Sequence, residues 1–355
     1  MDTAILPLPT STLHRPRTIL AIETSCDDTS VAVVRDGRHI LSNVMASQVA
    51  LHNRYGGIIP ELAARQHMES INAVVQAALD ESGCSPADID AVACTMGPGL
   101  LGSLLIGCTT AKVLAWLWQK PLIGINHLQG HVASNYLASD LEPPFLCLLV
   151  SGGHTQFWHV ASYTEHHLLG ETLDDAVGEV YDKVARTLGL GYPGGPIIDA
   201  LAQQGTPCYT LPIARTKHTY DTSFSGLKTA SLRLFERLQA EHGTPEGSIP
   251  PEVLHNFCAT FQHTAVRTLL KKLEACWQGH ASIQQWAIAG GVSANSLLRS
   301  QGQALAERCG VRLHVPKLSV CTDNAAMIAA AAYYQPLWQG VEVWEQDIFA
   351  RGSAS

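Results

Sequence analysis

Two stretches of the chain share one pattern of apolar and polar positions. In residues 19–34 and again in residues 145–160, an apolar run is followed by a short polar turn and a second apolar run. Two strand-length apolar runs around a tight polar turn predict a β-hairpin. The turns also agree in detail, because Ser25 corresponds to Ser151 and Thr29 to Thr155 at a constant offset. The pattern therefore predicts the same hairpin twice.

A second pair of apolar runs supports a duplication. The runs that begin at Val92 and at Ala287 each end in a glycine turn that opens a helix. A buried strand followed by such a turn and a helix is typical of α/β proteins. Since both pairs occur in the same order, we expect a duplicated α/β protein with a cleft between its halves.

Helical spacing of apolar positions predicts the main helices. They are residues 60–79, a short helix at 127–131 after a strand at 122–126, and residues 174–188, 251–277 and 322–334. The last helix is expected to open at Asp323. A chain of 355 residues favours two domains. We place a flexible N-terminal extension at 1–17, a first lobe at 18–126 completed by a helix at about 325–345, and a second lobe at 127–324.

Composition and charge narrow the class of protein. Apolar residues make up 46% and charged residues 15%, as in a well-buried globular enzyme. A net charge of −8 argues against holding nucleic acid by the overall field of the chain. No apolar run reaches the ~20 uncharged residues of a membrane span. The ten cysteines include no CxxC pair and are expected to be reduced thiols of an intracellular protein.

The strongest chemical signal is the pair His127 and His131. Histidines four residues apart on a helix project side by side, and a distant carboxylate such as Asp323 completes a two-histidine, one-carboxylate set with open coordination positions. The alternative is chance, because the chain has 16 histidines. Glycine-containing turns at 151–155 and 289–293, and the small polar turn at 25–29, follow apolar strands and suit an anion, although each also makes sense as a plain turn.

Together these motifs resemble the TsaD family of tRNA N6-threonylcarbamoyladenosine transferases. The similarity covers nearly everything from Thr18 to Tyr334, and departures are mild: Asp28 stands where the family often has Glu, and Thr222 replaces a common Phe. The matching segments are 22–29 (IETSCDDT), 55–61 (YGGIIPE), 97–99 (GPG), 127–131, 150–155 (VSGGHT), 173–175 (LDD), 182–183 (DK), 192–196 (YPGGP), 223–228 (SFSGLK), 290–295 (GGVSAN) and 322–324 (TDN).

The resemblance implies the fold and the site. The fold is the ASKHA (actin, sugar kinase, Hsp70) class of α/β protein, with two related lobes and an active-site cleft between them. One divalent ion, iron(II) or else zinc(II), is expected on His127, His131 and Asp323. Asp27 and Asp28 are the candidate acceptors of the substrate's proton. The residues expected to bind the adenylate substrate are Val150, Ser151, Gly152, Gly153, His154, Asp182, Gly195, Asp199 and Asn295.

The resemblance also implies the reaction and its setting. A threonylcarbamoyl group moves from threonylcarbamoyl-AMP to N6 of the adenosine 3′ of the anticodon, in tRNAs reading codons that begin with A. The expected partners are a TsaB-like paralogue and a TsaE-like ATPase in the cytoplasm, with no membrane, while a TsaC-like enzyme makes the adenylate. We expect residues 60–79 to form the TsaB-binding face. Because basic residues are scattered, tRNA binding by the chain alone should be weak.

Two other functions fit parts of the pattern. A metalloendopeptidase would use the histidine pair, but residue 128 is Leu, so the adjacent Glu of His-Glu-x-x-His is missing. An ATPase or sugar kinase would share the fold, since fold alone does not decide function. Such a kinase needs acidic Mg²⁺ ligands rather than imidazoles, and the histidine pair therefore favours the transferase.

Overall fold

The computed structural model describes residues 17–137, 139–243, 249–335 and 347–350. Residues 1–16 of the predicted extension lie outside this range. The chain forms two compact units: Met1–Leu141 with Asp323–Ser355, and Glu142–Thr322. The sequence-based division lay at residues 126 and 325, so the structure places the 127–131 helix and Asp323 in the first unit. The physical reason is that this helix packs against the last helix of the chain.

The first unit is built on a five-stranded mixed sheet with strand order β3-β2-β1-β4-β5. β1 and β2 form the predicted antiparallel hairpin, and β4 and β5 continue the sheet in parallel. Its strands and helices are β1 (Thr18–Glu23), β2 (Asp28–Arg35), β3 (His39–Ser47), α1 (Val49–His52), α2 (Pro60–Ser82), β4 (Ala91–Gly97), α3 (Leu101–Trp118), β5 (Leu122–Asn126), α4 (His127–Ala133) and α10 (Ala325–Tyr333).

The second unit has a sheet of the same design, with strand order β10-β9-β6-β7-β8. Its hairpin of β6 and β7 is antiparallel, and β9 pairs in parallel with β6 and β10. Its strands and helices are β6 (Phe145–Val150), β7 (Thr155–Val160), β8 (His166–Glu171), α5 (Val177–Thr187), α6 (Gly194–Ala202), α7 (Ser225–His242), α8 (Pro251–Gln278), β9 (Gln285–Ala289), α9 (Ser296–Cys309) and β10 (Arg312–His314).

The two sheets confirm the duplication predicted from the sequence. Exchanging β1 to β5 for β6 to β10 reproduces the order and direction of every pairing. Each hairpin was predicted, and so was the correspondence of β4 with β9. The residues of β1, β4 and β6 are buried along their whole length, and helices pack on both sheets. Strands covered on both faces appear in a sequence as continuous apolar runs.

Helix ends differ from the sequence-based bounds where a side chain caps the helix. α10 begins one residue after Asn324, whose side chain accepts a hydrogen bond from the Met327 amide at 3.1 Å. Asp323 is therefore outside the helix that it was expected to open, and its carboxylate lies beside the histidines of α4. α10 ends at Tyr333 rather than near 345, and residues 336–346 lie outside the described part of the chain.

Among the described residues, α3 alone is long and apolar enough to cross a membrane. Its buried face, which includes Leu104, Cys108 and Ala111, belongs to the core of the first unit. The opposite face is exposed, and only 33% of the helix is buried. The helix therefore serves as one side of a packed core while presenting an apolar surface.

Candidate metal centre and nucleotide-binding residues

α4 brings His127 and His131 to one place. β5 ends at Asn126, whose side chain accepts a hydrogen bond from the Leu128 amide at 2.9 Å and so starts the helix. One turn separates the two histidines, and their ring centroids lie 4.6 Å apart. Gly130 lets α4 approach α10, because a Cβ at this position would lie 2.6 Å from Ile328 Cδ1. Close packing of the two helices thus places the pair beside Asp323.

The three predicted metal ligands form one cluster. Asp323 Oδ1 lies 3.1 Å from His131 Nε2 and 3.6 Å from His127 Nε2. One ligand atom from each residue falls within 4.8 Å of the others, a spacing that a single metal ion can bridge. The structure thus brings together residues that are almost two hundred positions apart in the sequence.

His131 shows that an ion fits this cluster. Its side chain is fully buried; Nε2 lies 3.1 Å from Asp323 Oδ1, yet neither ring nitrogen makes a hydrogen bond of good geometry within the described part of the chain. A buried polar group without a hydrogen bond is unfavourable by about 1–3 kcal/mol. A metal bound at Nε2 would remove much of this penalty, so the donor set and its surroundings suit an ion.

Glu23 contacts His127 at Nδ1, the ring nitrogen that does not face Asp323, and its role was not predicted from the sequence. The buried carboxylate at the end of β1 lies 3.0 Å from His127 Nδ1 and accepts hydrogen bonds from the Thr95 hydroxyl and the Ser25 amide, each at 2.5 Å. A carboxylate behind a metal-binding histidine orients the ring and raises its basicity. The available signal was a charged residue that ends the otherwise apolar strand 18–23.

Burial and charge compete at this pair. Burial alone raises the pKa of Glu23, but the charge of His127 and its hydrogen bond lower the pKa further, so the net direction is downward. For His127 burial acts to lower the pKa, whereas the carboxylates of Glu23 and Asp323 raise it to about 9. Glu23 is therefore ionised and accepts the Nδ1 proton of His127, which leaves Nε2 directed at Asp323.

Asp27 and Asp28, the candidate proton acceptors, follow β1 in the first unit. Burial raises the pKa of both side chains, and the negative charge of Asp323 raises each pKa further. The pKa of Asp28 reaches about 6. A carboxyl group with a pKa close to the working pH is suited to accept a proton. Both residues belong to the electrostatic surroundings of Asp323.

The loop expected to bind the adenylate, residues 150–154, follows β6 in the second unit. Ser151 and His154 close it through two hydrogen bonds, of 2.8 and 3.1 Å. Two glycines beneath it permit close approach: a Cβ at Gly178 would lie 2.5 Å from the Ser151 carbonyl oxygen, and one at Gly290 would lie 2.4 Å from that of Val150. Around Gly152 and Gly153 there is open space, so the loop backbone is accessible.

The other expected adenylate residues adjoin this loop and also hold helices in place. Asp182 accepts a hydrogen bond from the Gly194 amide at 2.7 Å, at the start of α6. Asn295 caps α9 through the Leu298 amide at 2.9 Å. Asp199 accepts from Asn295 at 3.3 Å and from the Ser296 hydroxyl at 2.7 Å. Asp182, Asp199 and Asn295 therefore support the fold.

The acidic side chains of Asp174 and Asp175 contact the segment 223–228, for which the sequence suggested no role. Asp174 accepts hydrogen bonds from Ser223 and Ser225 and caps α7. Asp175 pairs with Lys183 at 2.7 Å and with Lys228. These contacts explain why serines and a lysine occur at the start of α7. They also shorten the predicted 174–188 helix, because Asp174 and Asp175 precede α5.

Comparison with solved structures identifies the class of fold. The chain resembles full-length HypF in its phosphate- and nucleotide-bound form, with a TM-score of 0.58 and 12% identity, over 94% of this chain and 47% of HypF. It also resembles component A of the Acidaminococcus fermentans (R)-2-hydroxyglutaryl-CoA dehydratase, with a TM-score of 0.50 and 13% identity, over 90% and 96% of the two chains. With its paired sheets, the protein is an ASKHA-class α/β protein that carries a histidine–carboxylate cluster.

Comparison of sequences then identifies the family. The profile described as "TsaD: tRNA N6-adenosine threonylcarbamoyltransferase" matches residues 39–330. The protein of that name from a Cyanothece species is 54% identical over 323 residues, which are 89% of this chain and 91% of that protein. The one from Trichlorobacter lovleyi is 49% identical over 316 residues, 88% and 90% of the two chains. The chain belongs to the TsaD family of tRNA-modifying transferases.

Proposed function

We propose that the chain transfers a threonylcarbamoyl group from threonylcarbamoyl-AMP to N6 of the adenosine 3′ of the anticodon, in tRNAs reading codons that begin with A. The observation that carries this proposal is the family's histidine–carboxylate cluster, present with a second carboxylate, Glu23, behind it. The reaction takes place in the cytoplasm, where the tRNA substrate is found.

The chemistry needs no protein nucleophile, because the mixed anhydride already has AMP as a good leaving group. N6 attacks the carbamoyl carbon and forms a C–N bond, while the bond from that carbon to the phosphate oxygen breaks and AMP leaves with its electron pair. The amine proton passes to Asp27 or Asp28. The protein mainly has to orient a weakly nucleophilic amine and stabilise developing negative charge.

We propose that His127, His131 and Asp323 hold a single iron(II), with zinc(II) as the alternative. When bound, the ion would act as a Lewis acid that stabilises negative charge on substrate oxygens. The two imidazoles and one carboxylate leave coordination positions open for this. Glu23 keeps His127 in the tautomer that directs Nε2 at the site.

We propose that the second unit binds the adenylate. Backbone amides of the open loop 150–154 suit the phosphate, because glycines let an anion approach closely. Asp182, Gly195, Asp199 and Asn295 complete the set. Gly178 and Gly290 contact this loop, and Asn295 donates a hydrogen bond to Asp199. All of these contacts lie within the second unit.

A partner is proposed from an exposed apolar surface on α2 and α3. The side chains of Trp116, Leu117 and Leu105 on α3 are 71%, 63% and 56% exposed, and Met68 on α2 is 59% exposed. Large exposed apolar surfaces mark interaction sites. The predicted partner face was residues 60–79; α3 supplies more of the surface than α2 does. We propose that a TsaB-like paralogue binds here, and that a TsaE-like ATPase completes the reaction cycle.

The test is transfer of labelled threonine from preformed threonylcarbamoyl-AMP to tRNA in the presence of both partners. Product should carry the label at the adenosine 3′ of the anticodon, and a tRNA with guanosine there should stay unlabelled. Cleavage of glycoprotein substrates instead would favour the endopeptidase. That alternative remains unsupported, since Leu128 provides no general base beside His127.

A further inference from the structure

His67 is a fully buried histidine on α2 that takes no part in the sites described above. Its ring nitrogen Nδ1 lies 2.7 Å from the hydroxyl oxygen of Thr29, and Nε2 lies 3.0 Å from the carbonyl oxygen of Cys26. Both contacts fall on the small polar turn at 25–29, where β1 gives way to β2. The ring therefore links α2 to this turn at two points.

The two contacts determine which ring nitrogen carries the proton. Because a carbonyl oxygen only accepts hydrogen bonds, Nε2 of His67 carries the proton and donates a hydrogen bond to Cys26. Nδ1 then holds a lone pair and accepts the hydrogen bond of the Thr29 hydroxyl. Burial lowers the pKa of His67, which agrees with a neutral ring. One donor and one acceptor thus match both partners, and the ring is satisfied inside the core.

The two partners of His67 flank the candidate proton acceptors. Cys26 directly precedes Asp27, and Thr29 directly follows Asp28. Because a residue is held on each side, the backbone that carries the two carboxylates has little freedom to move. Such freedom matters for a reaction, since a misplacement of about 1 Å can lower a rate by about 100-fold. The histidine is therefore located where it can set the position of both carboxylates.

We propose that His67 is a positioning residue for the transfer reaction, which holds the turn so that Asp27 or Asp28 meets the amine proton. The ring acts through the turn and does not take the proton itself, because its lone pair is occupied by the Thr29 hydroxyl. This inference rests on the proposed function, since the two carboxylates accept a proton from the amine only if the chain performs the transfer.

Three variants separate positioning from folding. His67→Leu keeps an apolar side chain in the core and removes both hydrogen bonds. His67→Gln places an amide N–H near the position of Nε2 and so keeps a donor for the Cys26 carbonyl. Ser42→Ala is the matched control, because the buried Ser42 hydroxyl donates to the Ala78 carbonyl at 2.7 Å and links α2 to β3 outside the turn.

The first measurement is hydrogen exchange of the full-length chain, which needs no substrate. Peptides that cover residues 24–31 should exchange about 10-fold faster in His67→Leu than in wild type, because the turn has lost two hydrogen bonds. His67→Gln should fall between the two, and Ser42→Ala should match the wild type in these peptides. Equal exchange in His67→Leu and wild type would overturn the inference, whichever reaction the chain catalyses.

The second measurement is transfer of labelled threonine by the same variants, with both partners present. His67→Leu should lower kcat by about 100-fold and His67→Gln by less, with KM for tRNA and for threonylcarbamoyl-AMP within about twofold of wild type. Ser42→Ala should keep the wild-type kcat. A wild-type kcat in His67→Leu, or an equal loss in Ser42→Ala, would overturn the positioning role.

Failure of the proposed function gives a different result. If the wild type transfers no label, the transfer reaction is refuted and the role of His67 in it falls too, although the exchange result for the turn would stand. Thermal unfolding shows whether His67→Leu folds. If it does not, His67→Asn takes its place in both measurements, because its amide oxygen keeps only the acceptor for Thr29, and the same losses are expected.

Discussion

At the scale of single residues, the centre depends on buried groups whose ionisation is set by the charges of their neighbours, against the effect of burial. The sequence predicted His127 and His131 as metal ligands from their helical spacing, and Asp323 from its resemblance to the TsaD family; the structure brings the three together. The sequence could not identify Glu23, because one carboxylate in an apolar strand gains meaning only when the fold places it 3.0 Å from His127. Contacts between distant positions are invisible in a single sequence.

Glu23→Gln should weaken metal binding by about 10- to 100-fold, as loss of a carboxylate behind a metal-binding histidine typically does. The amide keeps the shape but does not hold His127 in its tautomer as strongly. Titration with iron(II) or zinc(II) measures the change at the His127–His131–Asp323 centre. Glu61→Gln, at an exposed position on α2, is the control. Equal affinity in Glu23→Gln and wild type would contradict the role of Glu23.

Asp28→Asn should stabilise the metal-free protein at neutral pH while reducing transfer. Burial raises the folded-state pKa of Asp28 to about 6 from 3.8. The wild type therefore loses stability as the pH rises between these two values. The variant lacks that loss. The free energy of unfolding of the variant should exceed that of the wild type by about 1–2 kcal/mol above pH 6, allowing for the partial exposure of Asp28. This difference should vanish below pH 4. Urea unfolding at pH 4 and 7.5 measures this difference. A variant that is more stable than the wild type at pH 4 but not at pH 7.5 would contradict the prediction.

At the scale of elements, the pattern of apolar positions predicted the strands and helices well. A strand that is buried on both faces appears in the sequence as a continuous apolar run. The ends were less predictable. Capping by Asn324 moved the start of α10, and capping by Asp174 tied 223–228 to the segment before α5. These shifts come from side-chain hydrogen bonds that periodicity does not encode. The same bonds make Asp182, Asp199 and Asn295 structural as well as candidate ligand-binding residues.

Asn295→Ala should lower the free energy of unfolding by roughly 1–2 kcal/mol, because it removes the cap of α9. It should also weaken adenylate binding. Asn295→Ser restores a capping oxygen but not the amide that donates to Gln262 at 2.8 Å. The serine variant should therefore recover much of the stability without recovering nucleotide binding. Parallel loss and recovery of both properties would favour a purely structural role.

If the proposed TsaB-like partner binds at α3, Trp116→Glu should abolish that association and leave the melting temperature of the isolated chain nearly unchanged. The side chain is 71% exposed on α3, so a charge there disturbs a docking surface and not the core. Leu168→Glu, at a 44% exposed position on β8, is the matched control and should bind normally. Analytical ultracentrifugation with the partner distinguishes the two; normal binding by Trp116→Glu would remove α3 from the interface.

At the scale of the whole molecule, the sequence predicted the duplicated architecture because two hairpins and two strand–turn–helix segments repeat in order. It misplaced the division between the units, since the packing of α4 on α10 cannot be seen from either segment alone. The net charge of −8 belongs to this scale too. Phosphate contacts dominate nucleic-acid affinity, so a tRNA enzyme of this charge should depend on partners and be sensitive to salt.

The most direct measurement is transfer of labelled threonine from preformed threonylcarbamoyl-AMP to tRNA, with the partners present, by wild type and His131→Ala. We predict label on the adenosine 3′ of the anticodon with wild type, and loss of both metal and at least about 100-fold of the rate with His131→Ala. His52→Ala, at a buried histidine of α1 outside the centre, controls for general damage. Full transfer by a metal-free His131→Ala would contradict the account.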